Sequence, residues 1–452
     1  MKHEARRTPA RPIERLTLPL QRFAEREAAS TILLLAATVL ALLWANSPWG
    51  EAYDHALHVP LAARLAGFEL ELSLQHFVND ALMALFFFVV GLEIKRELAI
   101  GELSSPSRAL LPVIAAAGGM LGPAAIYAAL HLDGAALRGW GIPMATDIAF
   151  AVAALSVFGA RVPAGLKIFL LALAIADDIG AVAVIAIFYT EELSMTWLAW
   201  ALAGLLLTWG LNVSGVRAYS VYFVVGGLVW LATYHSGIHA TISAVALGLL
   251  TPARPLDPLP ARRDYVQRAM ALFERFGDLI EGHDDHGGHV RHTLARDVSR
   301  AARATLSPVD ELTNLLHPWV AFFIMPLFAL VNAGVAIEAS TLAEPVPLRV
   351  AIGVALGLLL GKPIGITLAA WLAVRLGLAE LPSGVRWPQV VATGFLAGIG
   401  FTVALFVAAL AFEATPPFLA GAKVGILAGS ILATALGTFL LSRTLPASRQ
   451  AG

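Results

Sequence analysis

Hydrophobic residues fill twelve long blocks of this chain, near 28–45, 75–100, 109–130, 137–158, 165–189, 196–212, 219–233, 237–250, 314–333, 351–373, 389–411 and 421–442. Most reach the roughly 20 residues that carry an α-helix across a hydrocarbon core about 30 Å thick. The pattern predicts an all-α polytopic membrane protein with twelve transmembrane helices. Two stretches depart from it. Phe68-Glu-Leu-Glu-Leu-Ser-Leu74 alternates apolar and polar residues, the period of a half-exposed strand, and predicts a β-hairpin near 59–74. Segment 251–307 is polar, arginine-rich and too charged to enter a bilayer.

Composition supports the membrane reading. Of 452 residues, 58% are hydrophobic and 14% charged, against about 25% charged in a soluble domain. The mean hydropathy is +0.74. With no cysteine, disulfides, thiolate metal sites and cysteine nucleophiles are excluded. The net charge of −1 by itself says nothing about partners; no nucleic-acid partner and no cofactor are expected.

How charge is distributed among the connections orients the chain. Lys95, Arg96 and Arg108, then Arg161 and Lys167, then Arg217, the 251–307 segment, Arg375 and Arg386, and finally Arg443 and Arg449 fall on one side. Acids dominate the other: Glu51, Asp54, Glu69, Glu71, Glu191, Glu192, Glu338, Glu344 and Glu413. Positive residues mark cytoplasmic loops, so both termini are expected in the cytoplasm. The organisation is then a cytoplasmic tail (1–27), helices 1–8 (28–250), a cytoplasmic His/Arg-rich loop (251–307), helices 9–12 (308–442) and a second tail (443–452). Within the loop, 281–292 holds histidines and aspartates of a metal-binding composition. Its glycine-rich spacing and flanking charges fit a solvated loop better.

Four charges lie at the centres of blocks. Asp177 and Asp178 are midway between Lys167 and Glu191, Asp147 between Arg138 and Arg161, and Lys362 between Arg349 and Arg375. A central charge cannot snorkel to the interface, and each costs at least ~2.5–3.5 kcal/mol to insert. One buried ion pair with Lys362 explains one acid, not three. Adjacent residues on a helix project about 100° apart, so one of Asp177 and Asp178 can pair with Lys362 while the other faces a cavity. Two blocks also look interrupted: Gly139-Trp-Gly-Ile-Pro-Met-Ala-Thr-Asp147 and Gly394-Phe-Leu-Ala-Gly-Ile-Gly-Phe-Thr402. Interrupted spans in corresponding positions of two halves point to a transporter site. Gly357, Gly361 and Gly365, like Gly421, Gly425 and Gly429, instead have the spacing of close helix packing.

The stretches GIPMATDIAFA, ALAIADDIGA, FFFVVGLEIKREL, SGIHAT, GKPIG, HPWVAFFIMPLFALVNAGV and AGIGFT carry a resemblance. Together and in order from the first block to the twelfth, they resemble the NhaA family of bacterial sodium/proton antiporters. The resemblance implies inverted-topology repeats, two broken helices crossing at the midplane, and electrogenic exchange of one sodium or lithium ion for two protons. It implies that Asp177 and Asp178 bind the ion and protons, that Thr146 and Asp147 belong to the broken-helix assembly, and that Lys362 pairs with Asp177. It further implies that Gly398 and Gly400 form the unwound backbone of the second broken helix. Glu93, Arg96 and Glu97 match a cluster linked to pH regulation, and His239 a histidine linked to pH response. The only metals expected are the transported sodium or lithium, at Asp178 and Asp177. The expected setting is a bacterial inner membrane, and the 68–74 pattern resembles the family's dimer hairpin, implying a homodimer. One departure is plain: Thr313-Asn314 stands where the best-known members carry an acid and a histidine.

On this reading Asp147 offsets the positive ends of two half-helices and Lys362 their negative ends, with the Thr146 hydroxyl an added oxygen for the ion. Adjacent acids titrate as a coupled pair, and competition of proton and sodium for one site couples their fluxes. Alternatives remain a passive cation channel or another proton-coupled cation transporter. An intramembrane aspartyl protease needs its two acids on facing helices, unlike Asp177–Asp178 on one. A zinc transporter using 281–292 is weaker still. His235 and His239, four apart, superficially resemble a metal pair on one helical face, although hydrogen bonding near a turn fits them better.

Overall fold

The computed structural model of the chain describes residues 27–65, 68–132, 134–190, 193–216, 218–254, 267, 271, 307–336 and 344–446. The histidine-rich stretch 281–292 and most of both tails lie outside them. Among the described residues the protein is mostly helical. After α1 (Glu27–Ala45) the chain turns through 117° into the short α2 (Gly50–Leu57). Strands β1 (Pro60–Leu65) and β2 (Phe68–Ser73) then pair antiparallel, with Pro60 opposite Ser73 and Leu65 opposite Phe68. There follow α3 (Leu74–Ile100) and α4 (Pro106–Leu130), then a 3₁₀ helix (Ala135–Met144) continued by α5 (Ile148–Ser156). Next come α6 (Ala164–Phe188), α7 (Met195–Val213), α8 (Tyr219–Tyr234) and α9 (Ala240–Leu250). The second part holds α10 (Pro308–Asn332), α11 (Pro345–Arg375), α12 (Trp387–Ala397), α13 (Phe401–Phe412) and α14 (Pro416–Thr444).

Eight of these helices are long and apolar enough to cross a membrane, or ten if each bent pair counts as one span. The shorter apolar helices α8 and α9 come in addition. Apolar residues face outward on the periphery: Leu202, Leu206 and Trp209 of α7 and Phe223, Val224 and Leu228 of α8 are exposed. In lipid such faces need no cover, because hydrocarbon is as apolar as leucine. Tight packing between helices therefore relies on small residues that let backbones approach.

The α4–α11 interface shows this directly. A Cβ on Gly361 would lie 2.5 Å from Pro123 Cα, and one on Gly365 would collide with the Gly118 carbonyl. Along α14, a Cβ on Gly421 or Gly425 would strike the Pro347 or Ala351 carbonyl of α11, and one on Gly429 would sit 3.1 Å from Ala355 Cα. These glycines are packing residues, as their spacing predicts.

Among the described residues three spans contain π-helical turns: Phe77–Leu82 in α3, Val320–Ile324 in α10 and Gly357–Gly361 in α11. The last two end two residues before Pro326 and Pro363. A proline inside a helix supplies no N–H and crowds the carbonyl four residues back. The wider turn accommodates this, and Lys362 N donates to Gly357 O, five residues back. The turn in α11 sets the direction in which Lys362 leaves its helix.

His235 and His239 do not share a helical face. His235 closes α8 and His239 precedes α9, with Gly237 at φ +83° turning the chain between them. A residue at positive φ ends a helix, which separates the two rings despite their spacing of four.

Candidate functional site

The interrupted blocks meet. The 3₁₀ helix ends at Met144 and α5 begins at Ile148, while α12 ends at Ala397 and α13 begins at Phe401, bent by 47°. The two gaps, 145–147 and 398–400, lie against each other. Asp147 N donates to Ile399 O at 2.6 Å, and Thr146 Oγ1 donates to Ala397 O at 2.9 Å. Gly400 permits the contact, since a Cβ there would lie 3.0 Å from Ala145 O. A Cβ on Gly398 would collide with Leu358 O. Neither glycine has positive φ, so their role is close approach.

Like ends of the helix pairs therefore converge. Asp147 is the N-cap of α5, with Oδ1 accepting from Phe150 N at 3.2 Å. Its other oxygen, Oδ2, accepts from Thr402 N at 3.1 Å and Thr402 Oγ1 at 2.5 Å. One carboxylate thus satisfies orphan donors at two helix N-termini, where negative charge is favoured. At the opposite ends, Lys362 Nζ donates to Thr146 Oγ1, which itself donates to the last carbonyl of α12. The lysine charge reaches the negative end of α12 through that hydroxyl. The Thr146 oxygen, read from sequence as an oxygen for the ion, is already held from both sides.

Lys362 also pairs with Asp177, Nζ to Oδ2 at 2.5 Å, with both side chains fully buried. Among the described residues Asp177 Oδ1 has no hydrogen-bond partner. Asp178, the next residue of α6, is 8% exposed, and among the described residues no hydrogen bond or ion pair reaches its carboxyl group. The structure resolves which acid meets the lysine, a choice the 100° argument left open. Glu93 is half-buried on α3, a helix that packs against α6.

The remaining site candidates lie elsewhere. Arg96 Nε meets Asp310 Oδ1 of α10 at 3.3 Å. Glu97 turns back on its own chain, where Oε1 accepts from Glu102 N at 2.6 Å and closes the end of α3. Asp310 lies one helical turn before Thr313, so an acid from this part of α10 still meets α3 although position 313 carries none. His239 Nε2 is 3.7 Å from Asp80 Oδ1, and its ring stands edge-on to Phe406 of α13. Asp80 and Thr402 were not singled out as site residues from sequence. For Thr402 a signal existed in Gly398-Ile-Gly-Phe-Thr402, where a hydroxyl follows two glycines at the head of an apolar run.

Buried acids and a buried lysine around two interrupted helices whose gaps meet define a multi-pass membrane protein built around a charged interior site. The chain belongs to the family described as Na+/H+ antiporter 1, whose model matches residues 21–441. It is 46% identical over 438 residues to "Na(+)/H(+) antiporter NhaA" of Rhodopirellula baltica, covering 97% of each chain. It is 48% identical over 429 residues to "Na(+)/H(+) antiporter NhaA 2" of Myxococcus xanthus, covering 94% of this chain and 90% of that one. Among solved structures, the sodium proton antiporter MjNhaP1 from Methanocaldococcus jannaschii aligns with TM-score 0.47 and 14% identity, over 95% of this chain and 97% of that one.

Proposed function

We propose that this protein exchanges sodium or lithium ions for protons, one ion outward for two protons inward, by alternating access at Asp177 and Asp178. The observation that carries the reading is the unequal state of the two neighbours. Asp177 is tied to Lys362, while among the described residues the Asp178 carboxyl has no partner and keeps some exposure. A partnerless carboxylate in a membrane interior is a costly group, and a cation or a proton relieves that cost. Sodium takes hard oxygen ligands, which Asp178, the free oxygen of Asp177, main-chain carbonyls and water supply. When the internal solution is alkaline, the Asp177–Asp178 pair gives up two protons and takes one sodium ion. On the other side protons displace it.

In this reading Lys362 exchanges the Asp177 contact as the site turns over, and the crossed half-helices are the moving part. The twelve crossings comprise the eight long spans, α1 with its lateral α2, the α12–α13 pair, α8 and α9, arranged as inverted repeats. Both termini face the cytoplasm of a bacterial cell, across its inner membrane, and the loop of residues 251–307 lies on the same side. Glu93, Arg96, Glu97 and His239 make exchange respond to pH. The β1–β2 hairpin joins two copies into a dimer.

The test is transport in proteoliposomes holding the purified protein, with sodium, lithium and potassium compared. An imposed proton gradient should drive sodium uphill with net charge movement, and potassium should not substitute. Sodium that only runs down its own gradient would identify a passive channel instead.

A further inference from the structure

We propose that Thr402 is a positioning residue for ion exchange, acting through Asp147 on the buried charge pair. This inference rests on the exchange reading above. The Thr402 side chain is completely buried at the head of α13. It reaches Asp147 Oδ2 with two donors, its main-chain N–H and its hydroxyl. The main-chain donor persists in any residue except proline. The hydroxyl is the side-chain link by which the second broken helix holds the Asp147 carboxylate.

That link sits one residue from the charge pair. Asp147 follows Thr146 directly, and the 146–147 backbone is pinned to the second gap by Thr146 Oγ1 to Ala397 O and Asp147 N to Ile399 O. The same Thr146 hydroxyl accepts from Lys362, and Lys362 pairs with Asp177. Two hydrogen-bonded segments, Thr402 to Asp147 and Thr146 to Lys362 and Asp177, are therefore joined by the covalent backbone of residues 146–147. If the Thr402 hydroxyl is removed, Asp147 keeps its cap on α5 and one main-chain bond from α13. The gap keeps its links to Ala397 and Ile399 but loses a side-chain tie to α13, so the Thr146 acceptor that Lys362 shares with Asp177 is held less firmly. A lysine less constrained by Thr146 competes differently for the carboxylates that take sodium.

The methyl groups of valine match the shape of threonine without its hydroxyl. In proteoliposomes, Thr402→Val should raise the apparent KM for sodium about tenfold, which corresponds to ~1.4 kcal/mol, near the lower end of what a hydrogen bond to a charged group is worth. Its maximal rate should fall less than the KM rises. Thr402→Ser, which restores the hydroxyl, should return the KM to within about twofold of the parent chain. A structural role alone would lower thermal stability and the amount of active protein while leaving the KM unchanged. If Thr402→Val does not assemble, Thr402→Cys, a weaker donor of similar size, should give an intermediate KM. An unchanged KM in whichever of Thr402→Val and Thr402→Cys assembles overturns the proposal, as does failure of serine to restore it. If the parent chain itself shows no sodium-driven proton movement, the exchange reading has failed and not the role of Thr402 within it.

Discussion

Lys362 and Asp177 form a fully buried ion pair, Nζ to Oδ2 at 2.5 Å, directly beside Asp178, whose carboxyl group has no partner among the described residues. Breaking a buried pair by removing one partner typically costs about 3–5 kcal/mol, because the other charge is stranded. Lys362→Met should therefore lower the apparent melting temperature of the detergent-solubilised protein strongly. Adding Asp177→Asn to it, so that no charge is left behind, should recover most of the loss. Equal melting of the single and double variants would contradict the pair's assigned energetics.

The glycines along α11 give a sharper contrast. Gly361→Val places methyl groups into Pro123 of α4, and overpacking of this kind costs roughly 1–3 kcal/mol. Gly227 of α8 meets nothing within 4 Å and is exposed, and alanine is the better helix former by about 1 kcal/mol. Gly227→Ala should leave melting unchanged or raise it, while Gly361→Val lowers it. Melting curves of the two variants check both signs at once.

The start of α10 separates a cap from a surface ion pair. Ser307 Oγ accepts from Asp310 N at 3.1 Å and donates to Asp310 Oδ2 at 2.7 Å. Removing such a cap costs about 1 kcal/mol. Arg96, which meets the same aspartate, is 56% exposed in its side chain, and exposed pairs contribute about 0–1 kcal/mol. Ser307→Ala should thus destabilise the protein more than Arg96→Ala in thermal denaturation.

The hairpin carries the proposed dimer. Replacing residues 60–73 with a short Gly-Ser linker should convert the dimer to a monomer by light scattering, with sodium–proton exchange retained. A dimer that survives the deletion would place the contact elsewhere.

Much of the site was legible because a membrane makes charge conspicuous. Asp147, Asp177, Asp178 and Lys362 stand out from apolar blocks by the cost of inserting them, and glycines and Pro143 marked both gaps. What sequence could not supply was pairing between distant segments. Thr402 and Asp147 are 255 positions apart, and nothing local to either says that their gaps meet. The same holds for Thr146, whose hydroxyl looks available until Lys362 and Ala397 are seen on either side of it. The π-helical turn before Lys362 was also hidden, since Gly-Lys-Pro reads equally as a kink. β2 announced itself by alternation, whereas β1, Pro-Leu-Ala-Ala-Arg-Leu, has no such period and was legible only as the partner a lone strand requires.

The central claim is that the Asp178 carboxyl is where sodium and protons compete, and one variant tests it most directly. Asp178→Asn keeps the size and burial of the side chain but removes its charge. In proteoliposomes with an imposed pH gradient, it should abolish sodium-driven proton movement while its melting temperature stays close to that of the parent chain. Near-normal exchange by the folded variant would contradict the account.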